Sequence, residues 1–344
     1  MWTEIQDSIT GYLPAKRKTT SSGWISFNAP CCHHNGESPD TRGRGGLIFN
    51  GQGQGAVNYH CFNCGFKANY TPGRQINFKF KKLLSWFGVD DRTINRLVIE
   101  ALRIKSLISP EDVVEKPDVE INIKSRPLPR SAGSFNEWIT AIQLQDEDES
   151  INTHLRDAFT YVLDRKIDIQ RYNFYWTDEQ AYNLHKRVII PIEWKGRIMG
   201  YTARATSDDV KPKYHSSYEP GNVFNLDRQL PDNKIAIVVE GPFDAMAIDG
   251  VAVMSAEVGD VQAELIEDLD KKIIVVADAD KAGQQLIDAA IKYGWSVSFP
   301  AWQKDYKDVA EAVENLGKLF VLKSIVDAVE DNPLKIQLRR KINA

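Results

Sequence analysis

Cysteine and histidine residues cluster near the amino terminus of the chain. All four cysteines of the 344 residues lie between positions 31 and 64, with three histidines among them. Cys31 and His34 stand three positions apart, and Cys61 and Cys64 form a second pair with the same spacing. Two short-spaced pairs of thiolate or imidazole ligands are the usual way in which proteins hold structural zinc. The spacing therefore predicts one zinc site formed by these four residues.

The spacing does not decide which two residues form the first ligand pair, because Cys32 and His33 lie between Cys31 and His34. Either of them could replace Cys31 or His34 as a ligand. Four cysteines in a chain of this length do not form a disulfide framework, and in a reducing compartment such a cluster usually binds metal. Zinc is the expected ion in each register.

Acidic residues follow two apolar, β-branched runs in the second half of the chain. The run IAIVVE ends in Glu240, and IIVVA leads into Asp278 and Asp280. In open α/β sheets, ligands collect at the carboxyl ends of the strands, so these acids are expected to converge on one pocket. Such a cluster repels itself unless a divalent cation neutralises it, and oxygen ligands select Mg²⁺ or Mn²⁺. Two such ions can hold the attacking and leaving oxygens of a phosphoryl transfer.

The first third of the chain predicts a small module followed by two helices. Residues 1–75 contain the strand-like runs WISFNA, GLIFN and VNYHCF, which are typical of a β-rich zinc-binding module. Two apolar-periodic stretches over residues 76–104, separated at Gly88, predict a helical pair. Residues 105–135 are rich in serine, proline and charge, and we interpret them as a linker.

The remainder predicts an α/β fold in three parts. Residues 136–234 combine two helical patterns with the strands RVIIPIEW and GRIMGYTAR, which indicates a mixed α+β subdomain. In residues 235–315, apolar strands alternate with amphipathic helices, as in a parallel sheet flanked by helices. Residues 316–344 are expected to form a C-terminal helical tail.

Three segments resemble one protein family. VVEGPFDAMAI and VVADADKAG resemble the two signature segments of the TOPRIM fold, which DnaG-type primases, topoisomerases and some nucleases share. CCHHNGESPD with HCFNCG resembles the zinc module that opens DnaG-type primases, and RVIIPIEWKGRIMGYTARAT with KPKYHSS resembles the basic subdomain preceding TOPRIM in them. The matches cover roughly residues 25–70 and 150–315, in the order of the family. The compact length is most similar to the primases of large tailed bacteriophages.

The resemblance implies a DNA primase, which is a DNA-directed RNA polymerase and nucleotidyltransferase. Such an enzyme makes short RNA primers for DNA replication from ribonucleoside triphosphates on a single-stranded DNA template. The implied fold is a TOPRIM-type parallel sheet over residues 235–315, preceded by the basic N-terminal subdomain of the polymerase core and by a zinc-ribbon module. The implied cofactors are Zn²⁺ and Mg²⁺ or Mn²⁺.

The resemblance also implies roles for individual acidic residues. Glu240 corresponds to the catalytic acid, which acts as base or metal ligand at the primer 3′-hydroxyl. Asp278 and Asp280 correspond to magnesium ligands, and Asp244 to a supporting ligand. Asp308 matches the last acidic position of the family.

The remaining matched positions are one competing acidic residue and the residues of a basic motif. Asp305 competes with Asp308 for the last acidic position. Arg204 and Lys213 match the basic motif that handles the triphosphate and the template, and Arg187 is a weaker candidate in that motif.

Two other functions share part of this pattern. A TOPRIM nuclease has the same acids, but the basic subdomain and the zinc module argue against it. The acids Glu240, Asp278 and Asp280 argue against a catalytically idle DNA-binding adaptor, because such a protein would not need acids that repel one another. Both alternatives predict no RNA synthesis, so they can be distinguished by assay.

Charge and composition indicate the partners and the compartment. The net charge is −4, but residues 11–82 contain ten basic and two acidic residues, which predicts contact with a polyanion such as single-stranded DNA. No run of eighteen apolar residues exists, and the first ten residues do not form a secretory signal, so we expect a cytoplasmic protein, in a bacterial host if it is phage-encoded. No P-loop motif is present, so a replicative helicase is expected to be a separate partner.

Overall fold

The computed structural model describes residues 3–51, 53–108, 123–144, 151–255, 257–278 and 281–343. The chain divides into two compact units, Met1–Val119 and Glu120–Ala344. Each unit has a hydrophobic core of its own.

The amino-terminal unit contains a five-stranded antiparallel sheet in the order β1-β2-β3-β4-β5. Its strands are β1 (Arg17–Thr19), β2 (Ile25–Phe27), β3 (Gly45–Phe49), β4 (Val57–Cys61) and β5 (Lys67–Tyr70). Its helices are α1 (Glu4–Thr10), α2 (Phe78–Trp86) and α3 (Asp91–Leu107), with a 3₁₀ helix at Cys32–Asn35.

The core of this unit lies between one face of the sheet and the three α-helices. In β4 the side chains of Val57, Tyr59 and Cys61 are buried and the intervening ones are half-buried, as the period of a strand requires. The two predicted helices are closed at their amino ends by side chains, since Asn77 accepts from the N–H of Phe80 at 2.9 Å. Because α1, α2 and α3 contribute to the same core, the short strands do not need a core of their own.

The second unit contains two five-stranded sheets. The antiparallel sheet has the order β10-β9-β8-β7-β6 and the other has the order β12-β11-β13-β14-β15. The antiparallel part is built from β6 (Gly133–Ser134), α4 (Phe135–Gln143), α5 (Thr153–Asp164), β7 (Tyr175–Trp176), a 3₁₀ helix (Ala181–Lys186), β8 (Arg187–Trp194), β9 (Arg197–Ala205) and β10 (Tyr214–Tyr218). The other part is built from β11 (Ile235–Val239), α6 (Pro242–Ile248), β12 (Val251–Ala252), α7 (Asp260–Asp268), β13 (Lys272–Val275), α8 (Lys281–Tyr293), β14 (Ser296–Ser298), a 3₁₀ helix (Ala301–Lys304), α9 (Val309–Leu316), α10 (Lys318–Asp327), β15 (Val329–Glu330) and α11 (Pro333–Asn343).

The two sheets of this unit share one core. Trp176 and Ile190 of the antiparallel sheet lie in the same buried cluster as Val239 and Ile274 of the other sheet. Burial of each such side chain stabilises the fold by about 1.5–3 kcal/mol. The shared core therefore fixes the strand ends of one sheet relative to those of the other.

The predicted fold class is confirmed. Strands β11, β12, β13 and β14 are parallel, with helices between them as the sequence predicts. The segment predicted as a helical tail contains α10 and α11, but also β15, which pairs antiparallel with β14 and extends the parallel sheet. Among the helices of the described ranges, none is both long and apolar enough to cross a lipid bilayer.

Candidate active site and metal centre

Two of the predicted acids lie at the carboxyl edge of the parallel sheet. Glu240 follows β11 and Asp278 lies shortly after β13, and these neighbouring strands pair with Val238 opposite Val275. Both acids line one cavity of about 410 Å³. Asp280, the third predicted acid, lies outside the described residues.

Two further carboxylates of this cavity bind the first turn of α9. Asp244, in the first turn of α6, is 8% exposed and accepts a hydrogen bond from the N–H of Ala310 at 2.9 Å. Asp308 caps the same helix and accepts from the N–H of Glu311 at 2.8 Å. Burial, together with the charge of Asp308, raises the pKa of Asp244 to about 6.

Of the two candidates for the last acidic position, Asp308 lies in the same cavity as the other acids. Asp308 is half-buried and lines the cavity, whereas Asp305 is exposed and lies outside the cavity's described lining. The position in the structure therefore favours Asp308 over Asp305 as the candidate.

Basic side chains line the same cavity. Arg204 lies on β9 with its guanidinium 5.7 Å from the ring centre of Tyr161 and 5.0 Å from that of Tyr214. Burial, and then the charges of Arg204 and Lys307, lower the pKa of Lys213. Cations that lie close together in one cavity are stabilised by a polyanionic ligand.

Arg165 and Lys307 also line this cavity, and the sequence reasoning missed both. Arg165 directly follows α5 as its C-cap residue, and its guanidinium lies 4.7 Å from the ring centre of Tyr161 and 5.1 Å from that of Phe243. The available signal is the spacing of Tyr161 and Arg165, because residues four apart share one face of a helix.

Arg187, the weaker basic candidate, is not a cavity residue. Its side chain is fully buried and donates to four main-chain carbonyls. The acceptors are Tyr182 at 3.1 Å, Ala203 at 3.3 Å, Pro212 at 2.8 Å and Lys213 at 3.4 Å. It therefore holds the main chain that carries Lys213, instead of contacting a ligand.

The position of Asp278 depends on a close approach of α8. A Cβ atom on Gly283 would lie 2.0 Å from the carbonyl oxygen of Asp278, a distance that no side chain can adopt. The first turn of α8 therefore runs directly against the strand end that carries the acid, and only glycine fits there.

A separate cluster of four cysteines lies in the amino-terminal unit. The sulfur atoms of Cys31, Cys32, Cys61 and Cys64 all lie within 4.8 Å of one another. The shortest separations are 3.4 Å between Cys31 and Cys64 and 3.5 Å between Cys32 and Cys61. Such a set of donors can hold a metal ion.

The cluster contains Cys32 instead of His34, which is one of the alternatives that the spacing leaves open. Cys32 begins the 3₁₀ helix and is buried, whereas the next two residues of that helix face outward and are exposed. The ring of His34 stacks on Trp86 with the ring centres 4.8 Å apart. Because the 3₁₀ helix turns tightly, the side chain that joins the other cysteines is that of Cys32, two positions before His34.

The cysteines of this cluster differ in their acidity, since burial raises the pKa of Cys31 and of Cys32. Burial opposes ionisation of Cys61, but the N–H groups of Cys64 and Asn63 hold its pKa below the ordinary value. The amide of Asn63 also donates to the sulfur of Cys32 at 3.3 Å. Four sulfur donors that are pre-arranged in this way suit a soft, tetrahedral ion.

The outer face of the amino-terminal sheet carries exposed rings and cations. Phe62 is 65% exposed, and its ring lies against those of Trp24 and His60, with ring centres 6.4 and 4.3 Å away. Lys67 pairs with His60 across β4 and β5 and points to the same face. On the opposite face, Phe27 and Tyr59 are buried in the core. The aromatic residues near the cysteines therefore divide between packing and an exposed surface.

Comparison with known proteins gives matches in the predicted regions. The family model described as Toprim-like matches residues 237–313, which include Glu240, Asp244, Asp278 and Asp308. The chain is 30% identical over 152 residues to the DNA primase of Aquifex aeolicus, covering 39% of this chain and 30% of that protein. It is 24% identical over 335 residues to the DNA primase of Legionella pneumophila, covering 82% of this chain and 51% of that protein.

Solved primase structures match at low identity. The zinc-binding and RNA polymerase domains of the Aquifex aeolicus primase match with 19% identity and a TM-score of 0.43, over 94% of this chain and 83% of that one. The RNA polymerase domain of Mycobacterium tuberculosis primase DnaG matches with 19% identity and a TM-score of 0.44, over 52% and 78%.

The chain spans about a third to a half of the length of the curated relatives that it matches. At the level of sequence, the predicted resemblance to DnaG-type primases with a TOPRIM segment is confirmed. The closer similarity to phage primases stays a prediction.

Proposed function

We propose that this protein is a DNA primase that makes short RNA primers on single-stranded DNA from ribonucleoside triphosphates. The observation that carries the proposal is the composition of one cavity. Glu240 and Asp278, at the ends of adjacent parallel strands, share it with the cations Arg165, Arg204 and Lys213. Acids that can hold metal and cations that can hold a triphosphate are the two requirements of phosphoryl transfer.

The carboxylates of the cavity fit a hard divalent cation. Glu240, Asp244 and Asp278 offer oxygen ligands only, which are the ligands that such a cation prefers. Magnesium or manganese held there would lower the pKa of the primer 3′-hydroxyl and neutralise charge on the triphosphate. We assign Asp278 and Asp280 to metal binding, with Asp244 and Asp308 as supporting ligands.

Glu240 is assigned to the attacking hydroxyl. As the residue directly after β11, it is held by the main chain of the sheet and lines the cavity beside the other acids. Its carboxylate accepts a hydrogen bond from the 3′-hydroxyl and orients that group, or takes its proton, as the new bond forms.

The cations are assigned to the triphosphate and the template strand. Arg204 is held between two tyrosine rings and Arg165 lies over Tyr161 and Phe243, so both guanidinium groups are fixed before a ligand binds. A phosphate beside Lys213 would offset the burial and the neighbouring positive charges that lower its pKa. Fixed positive groups stabilise the charge that develops on the leaving pyrophosphate.

The amino-terminal unit is assigned to the template. Zinc is the ion that four thiolates hold most commonly, and its role here would be structural, because four protein ligands leave no open position. The outer face with Trp24, Phe62 and Lys67 offers rings for base stacking and charge for phosphates. We therefore assign template selection to residues 1–75 and chemistry to the polymerase core at 136–315, with 76–104 and 105–135 connecting them and 316–344 as the tail.

The remaining assignments follow from this function. The replicative helicase would be a separate partner, and the protein would act in a bacterial cytoplasm. Purified protein with single-stranded DNA, labelled ribonucleotides and Mg²⁺ tests the proposal. Short RNA that is missing with Glu240→Gln supports a primase, whereas shortened DNA indicates a nuclease and the absence of both products indicates an adaptor. Asp305→Asn serves as the control, because Asp305 is exposed outside the cavity lining.

A further inference from the structure

Met254 has an unusual main-chain conformation beside the catalytic cavity. Its φ is +56°, in the left-handed region that side chains other than glycine rarely adopt. It lies just after β12 and lines the cavity that contains Glu240. A strained residue at such a position persists only when its surroundings hold it.

Two hydrogen bonds hold the main chain of Met254. Its N–H donates to the carbonyl oxygen of Glu240 at 2.9 Å. Its own carbonyl oxygen accepts from the hydroxyl of Tyr218 at 3.1 Å. Tyr218 is the last residue of β10, so this pair of bonds links the antiparallel sheet to the strand end of the parallel sheet.

The position of Tyr218 is itself built by a close approach. Gly200 of β9 pairs directly with Tyr218. A Cβ atom on Gly200 would lie 2.6 Å from the Cβ of Tyr218 and 2.5 Å from the carbonyl oxygen of Ser217. Any side chain at position 200 would displace Tyr218, so only glycine fits opposite it.

We propose that Tyr218 is a positioning residue for Glu240, acting through the main chain of Met254. Its hydroxyl holds Met254 in the left-handed conformation, and the Met254 N–H then fixes the carbonyl of Glu240 and the start of its side chain. The role in catalysis rests on the proposed primase function, but the role in holding the main chain does not.

Tyr218→Phe tests the proposal, because it removes only the hydroxyl. We expect the amide hydrogen of Met254 to exchange roughly tenfold faster, as the loss of one hydrogen bond allows. We also expect primer synthesis to fall by about tenfold in kcat, with KM for ribonucleotides and affinity for DNA unchanged. Tyr175→Phe in β7 of the same sheet is the matched control.

A second variant separates positioning from direct contact with substrate. Glycine adopts the left-handed region without strain, so Tyr218→Phe combined with Met254→Gly should recover kcat to within about threefold of the wild type. Unchanged exchange of the Met254 amide in Tyr218→Phe would overturn the proposal. A raised KM that the glycine does not restore would also overturn it, since Tyr218 would then contact the nucleotide.

The exchange measurement also keeps the two proposals distinguishable. If the wild-type protein makes no RNA, the primase proposal fails, while the exchange of the Met254 amide still decides whether Tyr218 holds this main chain.

Discussion

At the scale of the residue, the carboxylates of the cavity differ in their burial and in their hydrogen bonds. We expect these differences to separate their roles. Glu240 and Asp278 are half-buried at strand ends, where they can meet a metal and a substrate. Asp244 is buried and engaged with the N–H of Ala310. The first two residues are therefore expected to affect turnover directly, and Asp244 to affect the affinity for metal and the stability.

Removal of a strand-end acid should abolish most synthesis without unfolding the protein. We expect Glu240→Gln and Asp278→Ala to keep zinc and template binding and to lower turnover by roughly two or more powers of ten, because these groups act in the transition state. Steady-state primer synthesis and DNA-binding titrations measure the two effects. Near wild-type synthesis by Glu240→Gln would remove the TOPRIM mechanism and favour the adaptor.

Lys213 should act on the nucleotide rather than on the chemical step. We expect Lys213→Ala to raise KM for ribonucleotides by about tenfold, because one contact with the triphosphate is lost. Initial rates over a range of ribonucleotide concentrations measure the change. An effect on kcat alone would contradict a role in binding.

Asp244 should make stability depend on pH. Its pKa is about 6 in the folded protein, above the ordinary value of 3.8, so the folded state binds the proton more tightly than the unfolded state does. The unfolding free energy should therefore fall as the pH rises from about 4 to about 6, by up to about 3 kcal/mol from this group. In thermal unfolding without magnesium, the stability of Asp244→Asn relative to the wild type should increase over that pH range and stay constant above it. A constant difference across the range would contradict the assignment.

At the scale of the element, the 3₁₀ helix Cys32–Asn35 determines which of its side chains joins the cysteine cluster. We expect Cys32→Ser and Cys61→Ser to lose zinc and much of the amino-terminal fold, because structural zinc contributes directly to folding. His34→Ala should keep one zinc per chain, since His34 stacks on Trp86 instead. Elemental analysis and circular dichroism measure both outcomes. Zinc loss in His34→Ala with zinc retained in Cys32→Ser would restore the register predicted from the spacing.

The first turn of α8 is the element that places Asp278. Gly283→Ala forces a Cβ against the Asp278 carbonyl, so we expect it to lower the unfolding free energy by about 1–3 kcal/mol and to weaken synthesis. Gly259→Ala at the start of α7 is the matched control, because no atom lies within 4 Å of the added Cβ. Equal denaturation curves for Gly283→Ala and Gly259→Ala would show that the close approach of α8 does not constrain Asp278.

Elements with a strong period could be predicted from the sequence, and those set by tertiary contacts could not. The run RVIIPIEW is β8 residue for residue, because a continuous run of apolar, largely β-branched side chains is typical of a strand that is buried on both faces. Strand β15 has two residues and no pattern, and it forms because β14 offers an open edge. The buried Arg187 could not be foreseen, because its partners are main-chain carbonyls brought together by folding.

At the scale of the whole molecule, the basic charge is concentrated in the first unit, and each of the two units has its own core. Residues 11–82 carry an excess of basic side chains, while the chain as a whole has a net charge of −4. The unit Glu120–Ala344 has its own core and contains the complete described lining of the cavity with Glu240 and Asp278. Binding of the template and chemistry are therefore expected to be separable.

A chain of residues 120–344 tests this separation. We expect it to fold and to bind Mn²⁺ as the full chain does, because the core and the acids are retained, but to lose the choice of template site. Its binding to single-stranded DNA should also depend less on salt. Each phosphate neutralised by a basic group contributes about 0.7 to the slope of log affinity against log salt concentration, so the loss of about three contacts should lower the slope by about two. Fluorescence titrations of both chains at several salt concentrations measure the difference. Equal slopes and an unchanged choice of priming site would place the template contacts in the second unit, since the basic segment would then contribute nothing to binding.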